Sequence, residues 1–220
     1  MWSGVGFQGP VVHADITRDD RVEGMAQRAL EAAPPRFVAV GFSMGGIAAI
    51  QLARLAGARM AGLVLLDTNP GADLPERQEM RLTQQDAVRA GRLREVVADE
   101  LKPNYLAEAN CARRDLLHQT MAMALDLGPD VFLRQVEALR VRPDSWPLLG
   151  EIVAPVLAAC GIEDRLCTPA MHRKIADHAP RGECAVIEGA GHLLPLEQPV
   201  ALSQLLKKWA QRHHLELEDA

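Results

Sequence analysis

The stretch "VAVGFSMGGIAAI", residues 38–50, decides the fold, because a single serine interrupts a run of small apolar residues. Gly41 precedes Ser43 by two positions, and Gly45 and Gly46 follow it. A strand that turns at once into a helix needs a sharp corner with an unfavourable backbone conformation at its centre. Glycines around that corner remove clashes with the neighbouring elements. The pattern predicts such a corner with Ser43 as a nucleophile, and the alternative is a small serine tolerated in a core.

The hydroxyl would stand where a strand predicted over 36–42 meets a helix predicted over 44–57. Helix N-termini favour negative charge, because their first N–H groups have no partner within the helix. The Met44 N–H points to the same place, which predicts it as one donor of an oxyanion hole. The sequence does not identify a second donor.

Strand and helix patterns alternate along most of the chain. Apolar runs predict buried strands over 10–15, 36–42, 60–71 (where the strand runs into a turn), 155–161 and 184–189. Apolar residues at helical spacing predict helices over 20–33, 44–57, 168–180 (with Thr168 as N-cap) and 195–214. This alternation is typical of an α/β protein whose mostly parallel sheet is flanked by helices.

One long segment interrupts the alternation. Residues 73–149 are rich in Arg, Glu, Leu and Ala, with helical periodicity and no convincing strand pattern. We therefore predict a helical insert over 73–149 and a core formed by 1–72 and 150–220. The Met and Leu residues of "HQTMAMALDL" in this insert fit ordinary helix packing better than a ligand-lining stripe.

Three predicted strands lead into residues that suit nucleophilic catalysis. Active sites of parallel sheets lie beyond the carboxyl ends of the strands, and Ser43, Asp164 and His192 each follow such an end. A serine hydroxyl needs a base, and the base needs an acid that fixes its tautomer and stabilises its charge. The order predicts His192 as the base and Asp164 as the acid, with Asp67 and Glu163 as rival acids.

The remaining histidines are less suited to act as the base. His13 falls in the first predicted strand, where a core or rim position is expected. Surface or terminal positions are expected for the other five, which are His118, His172, His178, His213 and His214.

Composition excludes several other classes of protein. A net charge of -5 gives no reason to expect a nucleic acid or an anionic membrane as partner. No apolar run reaches the length of a membrane span, and the first residues do not form a signal peptide, so we expect a cytoplasmic protein. Four scattered cysteines fit reduced thiols and show no zinc spacing. No metal and no organic cofactor is expected, and the predicted partner is a small ester-type molecule.

Three stretches together resemble the α/β-hydrolase fold family. "GFSMGG" at 41–46 resembles its nucleophile elbow, "PVLAACGIEDRLCTP" at 155–169 its acid-bearing strand and loop, and "GAGHLLPLEQP" at 189–199 its histidine loop. The order serine, acid, histidine agrees with that family. The resemblance covers nearly the whole chain and implies an esterase- or lipase-like serine hydrolase, with a helical cap at the position of the insert.

The chain departs from this family near its N-terminus. The resemblance implies earlier strands, a further strand between 10–15 and 36–42, and a His-Gly loop that supplies the second oxyanion donor, and we expect these to be missing. Three explanations stay open. A shortened reading frame is favoured and predicts poor solubility and weak activity. The sheet could instead close with 10–15 beside 36–42, or Gly4 and Gly6 could form a substitute loop.

The leading functional hypothesis is a serine hydrolase that cleaves a carboxylic ester, thioester or lactone through an acyl-enzyme. The alternatives on the same scaffold are acyl transfer, perhydrolysis and hydrolysis of a C–C bond, since a fold does not choose among them. A non-catalytic binding protein is the rival from another class, supported by the missing oxyanion loop. The substrate and the oligomeric state are left open.

Overall fold

The computed structural model describes residues 1–7, 9–101 and 104–215, and it places four strands in one sheet. The strands are β1 (Phe37–Phe42), β2 (Met60–Leu66), β3 (Val156–Gly161) and β4 (Gly182–Ile187). Their spatial order is β1-β2-β3-β4, and all neighbouring pairs are parallel. The predicted α/β fold with a parallel sheet is confirmed, and four of the five predicted strands are found.

Helices cover both faces of this sheet, as a parallel sheet requires. They are α1 (Val22–Ala32), α2 (Met44–Ala56), α3 (Pro75–Arg89), α4 (Leu93–Glu95), α5 (Arg114–Arg140), α6 (Trp146–Leu149), α7 (Pro169–His178), α8 (Leu194–Glu197) and α9 (Pro199–Arg212). Helix α4 continues into a π-helical turn over Val96–Leu101, and 3-10 turns lie at Trp2–Gly4, Gly57–Arg59 and Glu108–Asn110.

The alternation of side chains along the central strands divides the core into two layers. Leu63 and Leu65 of β2 pack with apolar residues of α1, α2, α6 and α7. Val64 and Leu66 of the same strand pack on the other face, against α8 and α9, where Trp209 is almost fully buried. Both faces of the strand are therefore apolar, which explains why β2 forms a continuous hydrophobic run in the sequence.

In the described part of the predicted insert the regular elements are helices joined by loops, and no strand is found there; residues 102 and 103 lie outside the described residues. Val88 of α3 and Val96 pack against α5 in a small apolar cluster of the insert's own. Helix α5 is kinked at Gly128, which has a φ of 78° and precedes Pro129. Met121 and Leu125 from the "HQTMAMALDL" stretch pack against this cluster, in agreement with ordinary core packing.

The strand predicted over 10–15 is wrong. These residues form no strand, and Val11 and Val12 are 48% and 57% exposed. Apolar β-branched residues favour a strand only where a neighbouring strand satisfies their backbone groups. In the described ranges no strand pairs with β1 on the side away from β2, so 10–15 has no ladder to join. The alternative in which the sheet closes with 10–15 beside β1 is thereby excluded.

The free edge of β1 borders a cavity of about 520 Å³ that segment 10–14 also lines. The Ser43 N–H donates to Leu66 on β2, so the N–H groups of Val38, Val40 and Phe42 face this free edge, because successive residues of a strand alternate in direction. Unpaired groups of this kind form an open template for pairing with another extended segment.

Two smaller expectations meet different outcomes at the C-terminal helices. The Thr168 hydroxyl accepts a hydrogen bond from the Met171 N–H at 3.4 Å, which confirms the predicted N-cap of α7. The single helix predicted over 195–214 is instead divided at Gln198, the residue before Pro199, which has a φ of −134°. Proline disfavours the helical conformation at the residue before it, which explains the break.

Within the described ranges, no helix has both the length and the apolar character needed to cross a membrane.

Candidate active site

Ser43 occupies the corner between β1 and α2 in a strained backbone conformation. Its φ is 50° and its ψ is −114°, a region that residues with a side chain rarely adopt. Its N–H donates to the Leu66 carbonyl at 2.8 Å, and its carbonyl accepts the Thr68 hydroxyl at 2.7 Å and the Gly46 N–H at 2.9 Å. These bonds attach the Ser43 backbone to β2, to the residues that follow β2 and to the first turn of α2. The hydroxyl therefore has a fixed position above the sheet.

The glycines around Ser43 differ in whether the structure has space for a Cβ at their positions. A Cβ at Gly41 would lie 2.4 Å from the Gly45 carbonyl oxygen, and one at Gly46 would lie 2.7 Å from the Thr68 side chain. A Cβ at Gly45 would meet nothing within 4 Å. The expectation that Gly45 removes a clash is therefore wrong, whereas Gly41 and Gly46 lie where close approach excludes a side chain.

The N–H of Met44 is available to a ligand. Met44 is the first residue of the 13-residue helix α2, and no acceptor in the described part of the chain takes its N–H. Because the helix N-terminus favours negative charge, this group is suited to bind an oxyanion that forms beside Ser43. The Gly6 N–H, by contrast, donates to the Ser203 hydroxyl at 2.9 Å, which argues against the substitute loop at Gly4 and Gly6.

His192 lies between the serine and an acid from a third strand end. Its Nε2 is 3.0 Å from the Ser43 Oγ, and its Nδ1 is 2.9 Å from the Asp164 Oδ2. The imidazole is buried, with 5% of the residue exposed. The three predicted residues, which are 149 and 28 positions apart along the chain, thus converge in one hydrogen-bonded row.

Asp164 is held as a carboxylate in a buried turn after β3. Its Oδ1 accepts the N–H groups of Leu166 at 2.8 Å and Cys167 at 2.9 Å, while Oδ2 faces His192. Burial raises the pKa of Asp164, but the hydrogen bond and charge of His192, together with the two backbone donors, outweigh it and leave that pKa below its ordinary value. The carboxylate can therefore fix a proton on Nδ1 and leave Nε2 as an acceptor.

Two aromatic rings and an apolar cluster surround the imidazole. The Phe42 ring lies 5.5 Å from the His192 ring, and the Tyr105 ring stacks at 5.7 Å with an interplanar angle of 27°. Phe42, Tyr105, Leu106 and Leu193 belong to one apolar cluster that also includes Leu116 from α5. Burial raises the pKa of Tyr105 to about 12, so its phenol is neutral near pH 7. The site is therefore shielded from water on the side of the insert.

Glu197 is a buried carboxylate that sequence analysis did not single out. Its Oε1 accepts the N–H groups of Gly191 and Leu193 at 2.8 and 3.2 Å, on either side of His192. Its Oε2 accepts the Ala107 N–H at 2.8 Å and the Asn110 side-chain amide at 2.9 Å. The only signal was its place in the "LEQP" part of the histidine-loop stretch, since four backbone and side-chain donors from distant segments cannot be read from spacing.

The rival acids have other partners. The Glu163 carboxylate accepts the Glu108 N–H at 2.8 Å, and Asp67 accepts the Gly161 N–H at 3.1 Å. Neither of them contacts the His192 imidazole through a hydrogen bond. Of the described acids, Asp164 is the one that pairs with His192 Nδ1.

Of the predictions for the other histidines, the one for His172 is wrong. His172 was expected at the surface but is fully buried, where its Nε2 accepts the Thr68 N–H at 3.2 Å and its Nδ1 lies 3.2 Å from the Thr168 carbonyl. Burial lowers the pKa of His172, which keeps the ring neutral. His13, for which a core or rim position was expected, is exposed, which excludes the core position alone. The helical pattern alone placed His172 wrongly, because α7 packs one face against the strand ends.

Only one group of side chains in the described residues has atoms close enough to suggest a metal site. Atoms of Asp164, Cys167 and His192 lie within 4.8 Å of one another. Burial and the nearby carboxyls raise the pKa of the Cys167 thiol, which opposes the thiolate that a metal would need. Asp164 and His192 already engage each other, so the arrangement favours proton transfer.

Comparison with known proteins bears on the whole chain. The sequence matches the model of the alpha/beta hydrolase family over residues 3–205. It is 26% identical over 174 residues to a provisionally named carbamate hydrolase RutD from Serratia proteamaculans (strain 568), and 26% identical over 195 residues to one from Yersinia enterocolitica. These alignments cover 77% and 87% of this chain but 64% and 69% of the relatives, so the chain spans about two thirds of their length.

A similar solved structure is that of a thermophilic esterase from Thermogutta terrifontis with malate bound. The TM-score is 0.83 and the identity 28%, and the match covers 96% of this chain and 78% of the esterase.

Proposed function

We propose, from the premise that the chain belongs to the alpha/beta hydrolase family, that it is a serine hydrolase that cleaves a carboxylic ester, thioester or lactone. The observation that carries this proposal is the row formed by the Ser43 Oγ, the His192 ring and the Asp164 carboxylate, with contacts of 3.0 and 2.9 Å. Each group has the partner that nucleophilic catalysis requires. The Ser43 hydroxyl has His192 as a base, and His192 has the Asp164 carboxylate as its acid.

In the acylation step, the Ser43 Oγ attacks the acyl carbon of the substrate. His192 Nε2 accepts the hydroxyl proton as the new C–O bond forms, and the Asp164 carboxylate stabilises the resulting imidazolium through Nδ1. The same proton then passes from Nε2 to the leaving alkoxide or thiolate as its bond to the acyl carbon breaks. The products of this step are an acyl-Ser43 ester and a free alcohol or thiol, which for a lactone remains attached to the acyl group.

In the deacylation step, a water molecule takes the place of the leaving group. His192 Nε2 accepts a proton from this water while the oxygen attacks the acyl carbon, and returns the proton to Ser43 Oγ when the acyl bond breaks. The Met44 N–H, which no acceptor in the described part of the chain takes, stabilises the oxyanion in both steps of this proposal. One such donor is typically worth about 10²–10³ in rate.

The helical insert over 73–149 is proposed as a cap over this site, with 1–72 and 150–220 as the core. Its support is that segment 105–110 packs on the histidine loop: the Leu193 N–H donates to the Tyr105 carbonyl at 3.1 Å, and a Cβ at Gly191 would meet the 105–107 backbone at 2.7 Å. A cap in this position limits the access of water to the imidazole and shapes the pocket for a small molecule.

Carbamates are a second class of substrate, favoured by the similarity to the two provisionally named carbamate hydrolases. Attack of the same serine on a carbamate carbonyl releases the alcohol and forms a carbamoyl-Ser43 in place of an acyl-Ser43, so the catalytic row does not exclude this class. Turnover of matched p-nitrophenyl esters and carbamates, compared as kcat/KM, separates the two classes. Product analysis separates hydrolysis from acyl transfer, perhydrolysis and C–C cleavage.

The test is the variant Ser43→Ala with p-nitrophenyl acetate and a fluorophosphonate probe. We expect the unaltered protein to hydrolyse the ester and to be labelled, and Ser43→Ala to lose both, with a fall in kcat of at least about 10³. The matched control is Ser3→Ala, because Ser3 is an exposed serine outside the row. Hydrolysis that survives Ser43→Ala undiminished contradicts the proposal. An unaltered protein that neither hydrolyses nor is labelled favours the binding-protein alternative.

A further inference from the structure

Asp67 has an unusual position directly after β2. Its φ is 46°, and it is fully buried. Its N–H donates to the Ala159 carbonyl on β3 at 3.0 Å, so the backbone is fixed within the sheet. Of the residues with side chains, Asp and Asn tolerate positive φ best, because their short polar side chains bond locally. The position therefore restricts which residues can replace Asp67.

Only one oxygen of the Asp67 carboxyl has a donor. Oδ1 accepts the Gly161 N–H at 3.1 Å, whereas no donor in the described residues reaches Oδ2, although that atom is buried. Asp164 lies in the turn after β3, where its N–H donates to the Gly161 carbonyl at 3.2 Å, so both acids bond the same residue at the end of β3. Two carboxyl oxygens can share a hydrogen bond only if one of them carries a proton.

The groups around Asp67 offer no positive charge to Oδ2. Besides burial, the charges of Asp164 and Glu197 raise the pKa of Asp67, and the charge of Asp67 in turn adds to the effect of burial in raising the pKa of the Cys160 and Cys167 thiols. The neutral His172 ring bonds the N–H of the next residue, Thr68. Burial, followed by the charge of Asp164, raises the pKa of Asp67 well above its ordinary range, while that of Asp164 is lowered. Of the two carboxyls, Asp67 is therefore the one for which burial and the neighbouring charge favour the protonated form, and its Oδ2 is the oxygen left without a donor.

We infer that Asp67 is a positioning residue that carries a proton and donates it, through a hydrogen bond, to the Asp164 carboxylate that faces His192. This inference rests on the proposed function for its catalytic consequence. The donated bond adds a third support to Asp164, beside the N–H groups of Leu166 and Cys167. It orients Oδ2 of Asp164 toward His192 Nδ1 without adding a second negative charge to the site.

Two variants test whether Asp67 acts as a neutral hydrogen-bond donor. Asp67→Asn keeps an oxygen for the Gly161 N–H and puts an amide N–H where the carboxyl proton lies, and Asn tolerates the positive φ. Asp67→Gly also tolerates this φ but removes the whole side chain. We expect kcat/KM to fall by about tenfold to a hundredfold in Asp67→Gly, and to recover to within about threefold of the unaltered protein in Asp67→Asn.

The pH profile tests the charge of Asp67. Asp67→Asn replaces one neutral group by another, so the acid limb of kcat/KM should move by less than about 0.3 pH units. If Asp67 were ionised, its replacement would remove a negative charge beside His192 and shift the acid limb to lower pH by about one unit or more. Such a shift, or an Asn variant as impaired as the Gly variant, overturns the inference.

A spectroscopic measurement makes the test independent of catalysis. The infrared spectrum at pH 7 should contain the carbonyl stretch of an un-ionised carboxylic acid, and this band should be absent from Asp67→Asn. Identical spectra of the two proteins in that region overturn the inference even if the ester is hydrolysed. A protein in which Ser43 is not labelled but the band is present instead contradicts the proposed function and leaves the proton on Asp67.

Discussion

The Oε2 atom of Glu197 lies 2.8 Å from the backbone nitrogen of Ala107, so a buried carboxylate of the core holds the helical insert in place. The other oxygen of the same carboxylate accepts the N–H groups on both sides of His192. The position of the imidazole and the position of segment 105–110 therefore depend on one side chain.

Replacement of Glu197 by glutamine should impair both stability and turnover. Glutamine keeps one acceptor oxygen but turns an NH₂ group toward backbone N–H donors, which leaves buried donors without partners. We expect Glu197→Gln to lower the free energy of unfolding by about 2–4 kcal/mol and kcat by at least tenfold. Urea denaturation and ester hydrolysis measure the two effects. Glu108→Gln, at an exposed position of the same segment, should change neither.

Asp164→Asn tests which acid serves His192. An amide at this position favours the wrong tautomer of the imidazole, and the loss of this role typically reduces kcat by about 10⁴. The matched variant is Glu163→Gln, because Glu163 binds the Glu108 N–H and not the imidazole. We expect the second variant to retain kcat within about threefold. Equal losses in the two variants would show that the acid has been assigned to the wrong residue.

Alanine at Gly41 and at Gly45 should have opposite effects on stability. A Cβ at Gly41 would lie 2.4 Å from a backbone oxygen, which only a shift of the α2 terminus could relieve. We expect Gly41→Ala to destabilise the protein by about 1–3 kcal/mol or to prevent folding. Gly45→Ala places a Cβ in open space within a helix and should be neutral or stabilising by up to about 1 kcal/mol. The melting temperatures of both variants, compared with that of the unaltered protein, test this prediction.

The folding stability of the insert should decrease at acid pH because Glu137 becomes protonated. Hydrogen bonds from Arg140, together with one from Gln85 on α3, lower the pKa of Glu137 to about 2. A carboxylate whose pKa is depressed by folding stabilises the native state above its unfolded pKa, and this stabilisation is lost as the pH falls toward the folded value.

We therefore expect Glu137→Gln to lower stability by about 0.5–1 kcal/mol at pH 7, and the difference from the unaltered protein to vanish near pH 2. Melting temperatures measured in parallel from pH 7 down to pH 2 test this. A difference that stays constant over that range would mean that the charge of Glu137 does not act.

The open edge of β1 should make the protein self-associate. Val12 is 57% exposed and lines the cavity beside the unpaired edge, where an extended segment of another molecule can pair. Val12→Lys should therefore reduce light scattering at high protein concentration, because a charged side chain opposes such pairing. Val200→Lys is the control, since Val200 is 66% exposed but lies on α9. Equal improvement by both variants would point to general solubility and not to this edge.

Much of the fold could be predicted because its signals are local. Four strands and the helices of the core have the apolar spacing that their period requires, although the break at Gln198, before Pro199, is not part of the helix predicted over 195–214. The failure at 10–15 is instructive: its residues favour a strand, but a strand exists only with a partner, and no local pattern reports whether one is present.

The residues of the candidate site likewise include some that the sequence could predict and some that it could not. Ser43, Asp164 and His192 could be selected because each follows a strand end, and parallel strands bring those ends to one edge. Their catalytic roles stay predictions, although the structure places them in contact. The roles of Glu197, His172 and Asp67 could not be predicted, because they depend on which buried groups surround these side chains.

The sequence by itself determined the alternation of strands and helices, the corner at Ser43 and the positions of Ser43, Asp164 and His192 just after strand ends. Only the tertiary structure decided which acid faces His192, which glycines tolerate no Cβ, and which buried carboxyl oxygen is left without a donor. The physical reason is range: backbone propensity and hydrophobic periodicity act between residues a few positions apart, whereas hydrogen bonds and desolvation depend on atoms that folding brings together from distant segments.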